Sequence, residues 1–336
     1  YLKRYNEDGG FWYSNGTSMS NGGSVSEISP LANTLLTWEK GRKVNVGLDL
    51  TLLKNRLTLS ADYYNDYYYD ILQSRGKSIQ LLGIAYPAEN IGKTRYYGLE
   101  TQLSWQDHIG KVNYYVSANW SMEQNKRLFM DEQYVPYDYL KMTGQPTGAI
   151  YGLVATGFLT AKDIADGYPV MNGFNNIQAG DVKYKDQNGD NRIDEKDVVK
   201  MFGSSVPRFY FGFNLNFSYK RLELSADFQG MTGVTVSLLN SPLYSPLVSN
   251  GNISNTFLNE EISWTPENKT NATMPRLTTQ ENLNNYRANS LWYRDGSFLK
   301  LRNLLVAYTF PKSQTRFADL KVFVQGTNLF SLDNIH

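Results

Sequence analysis

Cysteine is absent from this 336-residue chain, and histidine occurs only twice. Without cysteine, the protein can hold neither a disulfide scaffold nor a thiolate metal centre. Its 33 lysines and arginines face 32 aspartates and glutamates, and this net charge of +1 gives no basic field for a nucleic-acid partner. No apolar run approaches the roughly 18 to 20 residues of a membrane helix. These absences exclude the helical membrane class.

Aromatic residues are plentiful instead. The chain has 25 tyrosines, 16 phenylalanines and 6 tryptophans, which together make up 14% of its residues. So many rings exclude a disordered chain, because they provide ample apolar surface to bury. Tyrosine is the most frequent of the three, and its amphipathic ring is favoured where one end is wet and the other apolar.

Apolar and polar residues alternate with a period of two along much of the chain, which is typical of β-strands with one apolar face. The clearest run is Phe209–Tyr219, and a short turn at 219–221 joins it to Leu222–Phe228. Three further hairpins are predicted: Val44–Leu50 with Leu57–Tyr63, Tyr97–Trp105 with Val112–Trp120 across a turn at Asp107–Gly110, and Phe298–Phe310 with Leu320–Asn328.

The connections between these hairpins are much longer than the turns within them. They cover residues 67–94, 124–206 and 231–297 and are rich in Gly, Asn, Pro and Ser. Strands of about 10 residues with short turns at one end and long loops at the other are typical of an outer-membrane β-barrel. The apolar face would then meet lipid and the polar face a wet lumen, and residues 124–206 would form a long extracellular loop region.

The strand count indicates part of a larger barrel. We expect about nine strands, including one at Ala149–Leu159, whereas bacterial barrels have even numbers and plugged barrels about 22. We therefore predict an all-β fold, an antiparallel up-and-down transmembrane β-barrel to which residues 1–336 contribute a part. The chain is interpreted as an internal piece of a longer protein. The alternative is a soluble carbohydrate-binding β-sandwich with a calcium-stiffened loop, although sandwich strands usually have only about 5 to 6 residues.

Short segments in a fixed order carry a resemblance to a known family. The clearest are Asn90–Glu100 (NIGKTRYYGLE), Gly144–Gly152 (GQPTGAIYG) and Trp264–Asn268 (WTPEN). Others that support them are Leu36–Lys40, Asn45–Asp49, Gly180–Asp186, Pro275–Leu277 and Asn328–Phe330. From about Leu31 onward, the chain resembles the C-terminal barrel half of the SusC/RagA family of TonB-dependent outer-membrane transporters.

This resemblance implies a function and partners for the whole protein. Members of the family resemble barrels of about 22 strands that enclose an N-terminal plug. TonB energises them near the N-terminus, and many carry a SusD-like surface lipoprotein on their extracellular loops. By resemblance, we expect an importer of glycans or peptides in the outer membrane of a Gram-negative bacterium. The plug domain and the TonB box are expected to lie outside residues 1–336.

The segment Asp186–Asp197 has the residue spacing of a calcium loop. Oxygen-bearing side chains stand at loop positions one, three, five, nine and twelve, and position seven supplies a backbone carbonyl. These residues are Asp186, Asn188, Asp190, Asp194 and Asp197, with the carbonyl at Arg192. Position six is Asn191 where glycine is usual, and asparagine enters the left-handed region readily. A bound structural Ca²⁺ would stiffen the loop; the alternative is an acidic Asx-turn loop without metal.

A tyrosine-rich segment, Tyr63–Tyr69, is the candidate for contact with substrate. Its rings suit either stacking on sugar rings or the aromatic girdle that barrels carry at the membrane interface. Because alternate residues face lipid, Tyr64 and Tyr68 are the candidates for the lumen. Five polar residues are expected to line the same lumen: Asn214, Asn216, Glu223, Asp227 and Gln229.

The chain offers little for catalysis. His108 stands in a predicted turn and His336 at the end of the chain, and neither G-x-S-x-G nor a phosphate-binding loop is present. A barrel-borne hydrolase would need an activated serine, and no serine is paired with a histidine in a recognisable pattern. We therefore predict no enzyme activity and no catalytic residue.

Overall fold

The structure, a computed structural model, describes residues 5–6, 12–14, 16–21, 26–27, 32–76, 86–171, 173–174, 176–239, 241, 255, 262–278 and 282–335. Strands predominate in these residues. None of their helices is long and apolar enough to cross a bilayer.

In chain order, the strands are β1 (Tyr5–Asn6), β2 (Trp12–Ser14), β3 (Met19–Asn21), β4 (Ser26–Glu27), β5 (Lys40–Leu52), β6 (Leu57–Gln73), β7 (Glu89–Ile109), β8 (Val112–Phe129), β9 (Ile150–Gly152), β10 (Ala155–Phe158), β11 (Val170–Met171), β12 (Val182–Tyr184), β13 (Arg192–Ile193), β14 (Val199–Phe202), β15 (Phe209–Tyr219), β16 (Leu222–Thr232), β17 (Thr235–Ser237), β18 (Tyr293–Asp295), β19 (Phe298–Phe310) and β20 (Leu320–Asp333). The helices are α1 (Ala161–Ala165) and α2 (Lys312–Thr315), and 3-10 turns lie at Asp138–Leu140, Glu195–Asp197 and Ser290–Trp292.

Eight of these strands form one continuous sheet, which we call the wall. Its order is β20-β19-β16-β15-β8-β7-β6-β5, so the wall strands lie side by side in the order in which they occur in the chain. The pairings from β8 through β15, β16 and β19 to β20 are antiparallel, including that of β8 with β15 across a long connection. Wall strands have 11 to 21 residues. One long-stranded sheet, rather than two facing sheets, is the arrangement of a barrel wall and not of a β-sandwich.

The register of the wall keeps like residues on like faces. Phe213 on β15 lies opposite Ala118 on one side and Phe228 on the other, and its neighbour Asn214 lies opposite Asp227. The side chains on the apolar face are not covered by protein, since Phe213 is 44% exposed. An apolar face of this extent requires apolar surroundings, and the alternation therefore separates a lipid face from a polar face.

Several predicted boundaries between strand and loop were wrong. The loop region expected at 124–206 begins later, because β8 continues to Phe129. The connection expected at 67–94 is shorter, because β6 continues to Gln73 and β7 begins at Glu89. Tyrosine favours a pleated, half-buried surface, so Tyr67 and Tyr69 extend the strand rather than end it. The turn expected at 107–110 consists instead of Gly110 and the residue after it. Gly110 takes a φ of 61°, a conformation that glycine adopts without steric cost.

The predicted strand at Ala149–Leu159 is not part of the wall. It divides into β9, which pairs with β14, and β10, which pairs with β12. The wall in the described part of the chain therefore has eight strands rather than nine. Leu153 and Leu159 of this segment pack in a buried cluster with other loop residues.

Much of the long-loop sequence folds into a compact loop body, made of the described residues within 150–202, 234–239, 262–278 and 282–295. Its first buried cluster includes Leu159, Val182 and Ile193, all 0% exposed. A second cluster forms around Trp292, which is also 0% exposed. Burial of such side chains is the main driving force of folding, so the loop body has a hydrophobic core of its own.

The chain divides into two compact units. The first comprises 1–45, 64–97 and 125–146, and the second 46–63, 98–124 and 147–336. The loop body and the strands β15, β16, β19 and β20 belong to the second unit. The ends of β5 to β8 that adjoin the long loops belong to the first.

Candidate functional site

The polar face of the wall carries a hydrogen-bonded ladder across three strands. Asn214 on β15 donates to one carboxylate oxygen of Asp227 on β16. Asn303 on β19 donates to the other oxygen over 3.3 Å. Asn214 and Asp227 belong to the predicted lumen lining, whereas Asn303 was not predicted. The ladder joins amides and a carboxylate that a polar solute could also engage.

Two recesses lie along the wall strands of the second unit. The smaller, of about 340 Å³, is lined by Asp62, Glu100, Gln102 and Asn119, together with two serines. The larger, of about 570 Å³, lies by the short turns and includes Arg56. The linings of these recesses suit uncharged or polar solutes, because they offer both hydrogen-bond donors and acceptors.

Tyr68 lies on the same side of β6 as Asp66, as the alternation predicts. Its ring packs edge-on against Tyr96 with ring centroids 5.8 Å apart. The ammonium of Lys43 stands 5.3 Å from the centre of the Tyr68 ring and 3.4 Å from Asp66. An added Cβ at Gly41 would come within 3.2 Å of the Tyr68 ring, so glycine leaves room for the tyrosine. Tyr68 thus belongs to a small aromatic and charged cluster.

Tyr64 shares this side of β6 through the strand period, four residues before Tyr68. The neighbouring Tyr67 and Tyr69 lie on the opposite side and stack on each other with centroids 5.5 Å apart. Tyr67 and Tyr69 therefore follow the apolar face of the strand, as an aromatic girdle would. The tyrosine-rich segment therefore carries rings on both faces of the strand.

The segment Asp186–Asp197 forms a closed loop held by its own side chains. The carboxylate of Asp186 accepts from the backbone N–H groups three and five residues later, over 2.7 and 2.8 Å. Asn188 and Asp190 each accept from the N–H two residues on, both over 3.0 Å. Asp194 likewise accepts from the N–H two residues later over 2.8 Å. These Asx turns hold the backbone of the early loop positions in a tight curve.

The end of the loop is buried. Asp197 is 1% exposed and accepts from the N–H of Gln187 over 2.7 Å and of Asp194 over 2.9 Å. Asn191 takes a φ of 62°, in the left-handed region expected for position six. Arg192 begins β13, whose next residue, Ile193, is fully buried in the loop body. The loop is thereby anchored to the hydrophobic core.

The loop partly meets the requirements of a calcium site. Each carboxylate oxygen has two lone pairs, so a single N–H bond leaves capacity for a cation. However, both carboxylate oxygens of Asp197 already accept from backbone N–H groups. The ammonium of Lys196 also lies 3.6 Å from the carboxylate of Asp190, where it competes with a cation. Across the described residues, no three carboxylate or imidazole groups are gathered closely enough to hold a metal. A Ca²⁺ site at these residues remains a prediction.

A buried polar cluster in the loop body was missed by sequence reasoning. Asp181 is 0% exposed and accepts from Arg276 over 2.7 Å, from Asn282 over 2.9 Å and from Asn285 over 3.1 Å. The family segments around Gly180 and Arg276 were recognised, but their contact was not. The only available signal was the number of asparagines after residue 281, since partners about 95 residues apart share no local pattern.

Burial perturbs a tyrosine pair beside this cluster. The hydroxyl of Tyr168 donates to the carbonyl of Tyr184 over 2.9 Å and accepts from its N–H over 2.6 Å. Burial raises the pKa of Tyr168 to about 12 and also raises the pKa of Tyr184. Both hydroxyls therefore stay protonated and serve as structural donors.

The geometry at His108 offers no catalytic arrangement. His108 lies on β7 with its Nδ1 3.7 Å from the adjacent Asp107, and its side chain is 65% exposed. His336 lies outside the described residues. An exposed imidazole beside a carboxylate of its own strand lacks the nucleophile that a triad requires.

The comparisons with known proteins agree with this architecture. A profile of the family described as "TonB dependent receptor-like, beta-barrel" matches residues 4–329. TonB-dependent receptor P3 of Formosa agariphila is 27% identical over 322 residues, and TonB-dependent receptor P26 of the same organism is 26% identical over 320. These alignments cover 90% and 89% of this chain but only 31% and 30% of the relatives.

Solved structures show the same fold. The RagAB peptide importer in its open-open state matches with a TM-score of 0.65 and 21% identity, covering 98% of this chain and 34% of that one. The RagAB peptide transporter matches with a TM-score of 0.65 and 22% identity, and this match covers 99% of this chain and 34% of that one. The chain therefore spans about a third of these proteins, and it belongs to the TonB-dependent receptor β-barrel family.

Proposed function

We propose that the chain forms the C-terminal part of the barrel wall of a SusC-like, TonB-dependent importer in the outer membrane of a Gram-negative bacterium. The observation that carries the proposal is the two-faced wall, with long strands, an exposed apolar face and a hydrogen-bonding polar face. Such a wall separates lipid from an aqueous lumen. Its contribution is to close the barrel, line the lumen and support the long loops.

The partners and substrate follow from the same proposal. TonB would act through the N-terminal part of the whole protein, and a SusD-like lipoprotein would contact the long loops. The substrate would be an oligosaccharide or a peptide. The likeness to RagAB, named a peptide importer, supports a peptide, whereas the polar and aromatic lining suits both classes.

Cell fractionation tests this proposal most directly. The protein that carries this chain, expressed at full length, is expected in detergent extracts of the outer membrane, together with a surface lipoprotein identified by mass spectrometry. Recovery in the soluble fraction without a lipoprotein would contradict it. Proteins of known outer-membrane and periplasmic location, followed through the same fractions, provide the control.

Tyr64 and Tyr68 are the residues that we assign to substrate contact. The clustering of Tyr68 with Tyr96 and Lys43 supports this, because stacked rings and nearby charges bind both sugars and peptides. Tyr68→Ala should weaken uptake of the substrate by roughly fivefold, as expected for the loss of one ring contact of about 1 kcal/mol. Tyr69→Ala on the opposite side of the strand is the matched control and should leave uptake unchanged.

We also propose a structural Ca²⁺ at Asp186, Asn188, Asp190, Arg192, Asp194 and Asp197. The Asx turns and the left-handed Asn191 support it, and the cation would stiffen the loop. Calorimetry should detect heat on addition of Ca²⁺, and Asp186→Ala with Asp190→Ala should abolish it. Asp166→Ala, at an exposed position outside the loop, should leave it unchanged. Equal heats in all three proteins would exclude the site.

A further inference from the structure

The outward face of β5 changes from apolar to basic at its long-loop end. Val46 and Val44 lie on the apolar face of this strand, and the next residues on that face are Arg42 and Lys40. Both basic side chains are exposed. In a barrel the long loops are extracellular, so this change lies at the outer rim of the membrane span.

The same change occurs two strands away on β7. Leu99 and Tyr97 lie on its apolar face, and the next residues on that face are Arg95 and Lys93. Both are exposed. Basic residues at matching ends of β5 and β7 thus flank β6, and we call Lys40, Arg42, Lys93 and Arg95 the rim cations.

The rim cations surround aromatic rings of the girdle. The guanidinium of Arg42 lies 5.6 Å from the ring centre of Tyr69, and the ammonium of Lys40 lies 5.9 Å from it. Arg95 stands 5.7 Å from the Tyr97 ring. Tyr69 also stacks on Tyr67. Aromatic belts sit at the level of the lipid head groups, which places the cations at that level too.

The positive charge of this surface is mostly uncompensated. Lys40 pairs with Asp70 over 2.9 Å. Arg95 donates to Asn65 over 2.8 Å, a neutral partner. Within the part of the chain that the structure describes, Arg42, Lys93 and Arg95 make no ion pair. Three cations without an ion pair, beside half-buried rings, require an anionic neighbour or water.

We infer that the rim cations bind the phosphate groups of a phosphorylated glycolipid in the outer leaflet. Guanidinium groups bind phosphate oxygens in pairs, and tyrosine rings pack on the upper acyl chains and sugar of such a lipid. The occupant is a lipid rather than a free anion, because the rim cations lie on the lipid-facing side of β5 and β7. The inference rests on the proposed outer-membrane location and adds a ligand on the outside of the barrel.

Native mass spectrometry of the full-length protein in detergent tests the inference. Diphosphoryl lipid A is the probe, and dephosphorylated lipid A and inorganic phosphate are the competitors. Arg42→Gln with Arg95→Gln should weaken binding of diphosphoryl lipid A at least tenfold. Arg42→Lys with Arg95→Lys should weaken it less, because charge remains while the paired geometry is lost.

Lys220→Gln is the matched control. Lys220 stands 5.2 Å from the ring of Tyr219, a similar cation and ring pair, but at a short turn on the opposite end of the wall. It should leave binding unchanged. The heat-dependent shift of folded barrels on gels confirms that each variant has folded.

Three results would overturn the inference. They are equal binding by the wild type and the Arg42→Gln, Arg95→Gln variant, equal binding of dephosphorylated lipid A, and displacement of the lipid by millimolar inorganic phosphate. A protein absent from the outer membrane would instead contradict the proposed function, so the two failures can be distinguished.

Discussion

In the wall, apolar side chains such as Phe213 and Val306 remain 44% and 42% exposed, whereas in the loop body Leu159 and Ile193 are fully buried. The two regions are continuous in sequence and use similar residues. The wall is held by its backbone hydrogen-bond ladders and needs lipid to cover its apolar face. The loop body buries apolar surface against itself, as a soluble domain does. A substitution in the loop body should therefore alter the local stability of that body, whereas a substitution in the wall should alter assembly of the barrel.

The largest expected effect is on the core of the loop body. Trp292 is fully buried, stacks on Tyr286 with centroids 5.1 Å apart and donates from its indole to Asn285 over 2.6 Å. Trp292→Ala should destabilise the loop body by about 4 kcal/mol. Limited proteolysis should cleave its loops faster, while the barrel keeps its heat-dependent gel shift. Leu283→Ala, at a position 53% exposed, is the control and should have little effect.

The next effect concerns the buried ion pair of the loop body. Asp181→Asn would place an amide N–H₂ against donors from Arg276, Asn282 and Asn285 and leave the arginine without its counter-ion. Loss of one partner of a buried pair costs about 3 kcal/mol. Hydrogen exchange at residues 176–185 should report this. A protection pattern identical to the wild type would show that the pair contributes nothing net.

In the wall, the matched substitutions are Phe213→Arg and Asn214→Arg. A cation on the lipid face near the middle of a strand should cost about 2 to 3 kcal/mol, and one on the polar face should cost less because it stays hydrated. The yield of heat-modifiable barrel measures assembly. Equal losses for the two variants would contradict the assignment of the lipid and polar faces.

The smallest effect is a pH dependence in the loop body. The Lys183 ammonium, 2.5 Å away, together with the N–H and hydroxyl of Thr160, lowers the pKa of Asp163 to about 2. A lowered folded-state pKa gives stability that is present above pH about 4 and is lost as the pH falls towards 2. We expect the ionised Asp163 to contribute about 1 kcal/mol to the stability of the loop body, allowing for its partial exposure.

Hydrogen exchange of the wild type and Asp163→Asn across this range measures the effect. The wild type should be better protected at pH 7, and the difference should vanish near pH 2. A difference that persists at pH 2 would mean that the side chain stabilises the helix start by something other than its charge.

The sequence predicted the wall well and the loop body hardly at all. The alternation in Phe209–Tyr219 predicted the bounds of β15, because the face that a strand residue occupies depends only on its position in the strand. The placement of Tyr68 on the same side of β6 as Asp66 followed from the same rule. In contrast, the sequence predicts a connection from residue 67 onward where β6 continues to Gln73, since polar and aromatic residues at a strand end carry no boundary signal.

What the sequence determined by itself is local. It determined the two faces of each strand, the hairpin order of the wall and the left-handed turn at Asn191, because period and backbone preference act over a few residues. Only the tertiary structure decided which loop residues meet. Asp181 and Arg276 join across about 95 residues, and Arg42 of one strand meets Tyr69 of the next, because these contacts depend on the path of the connecting chain.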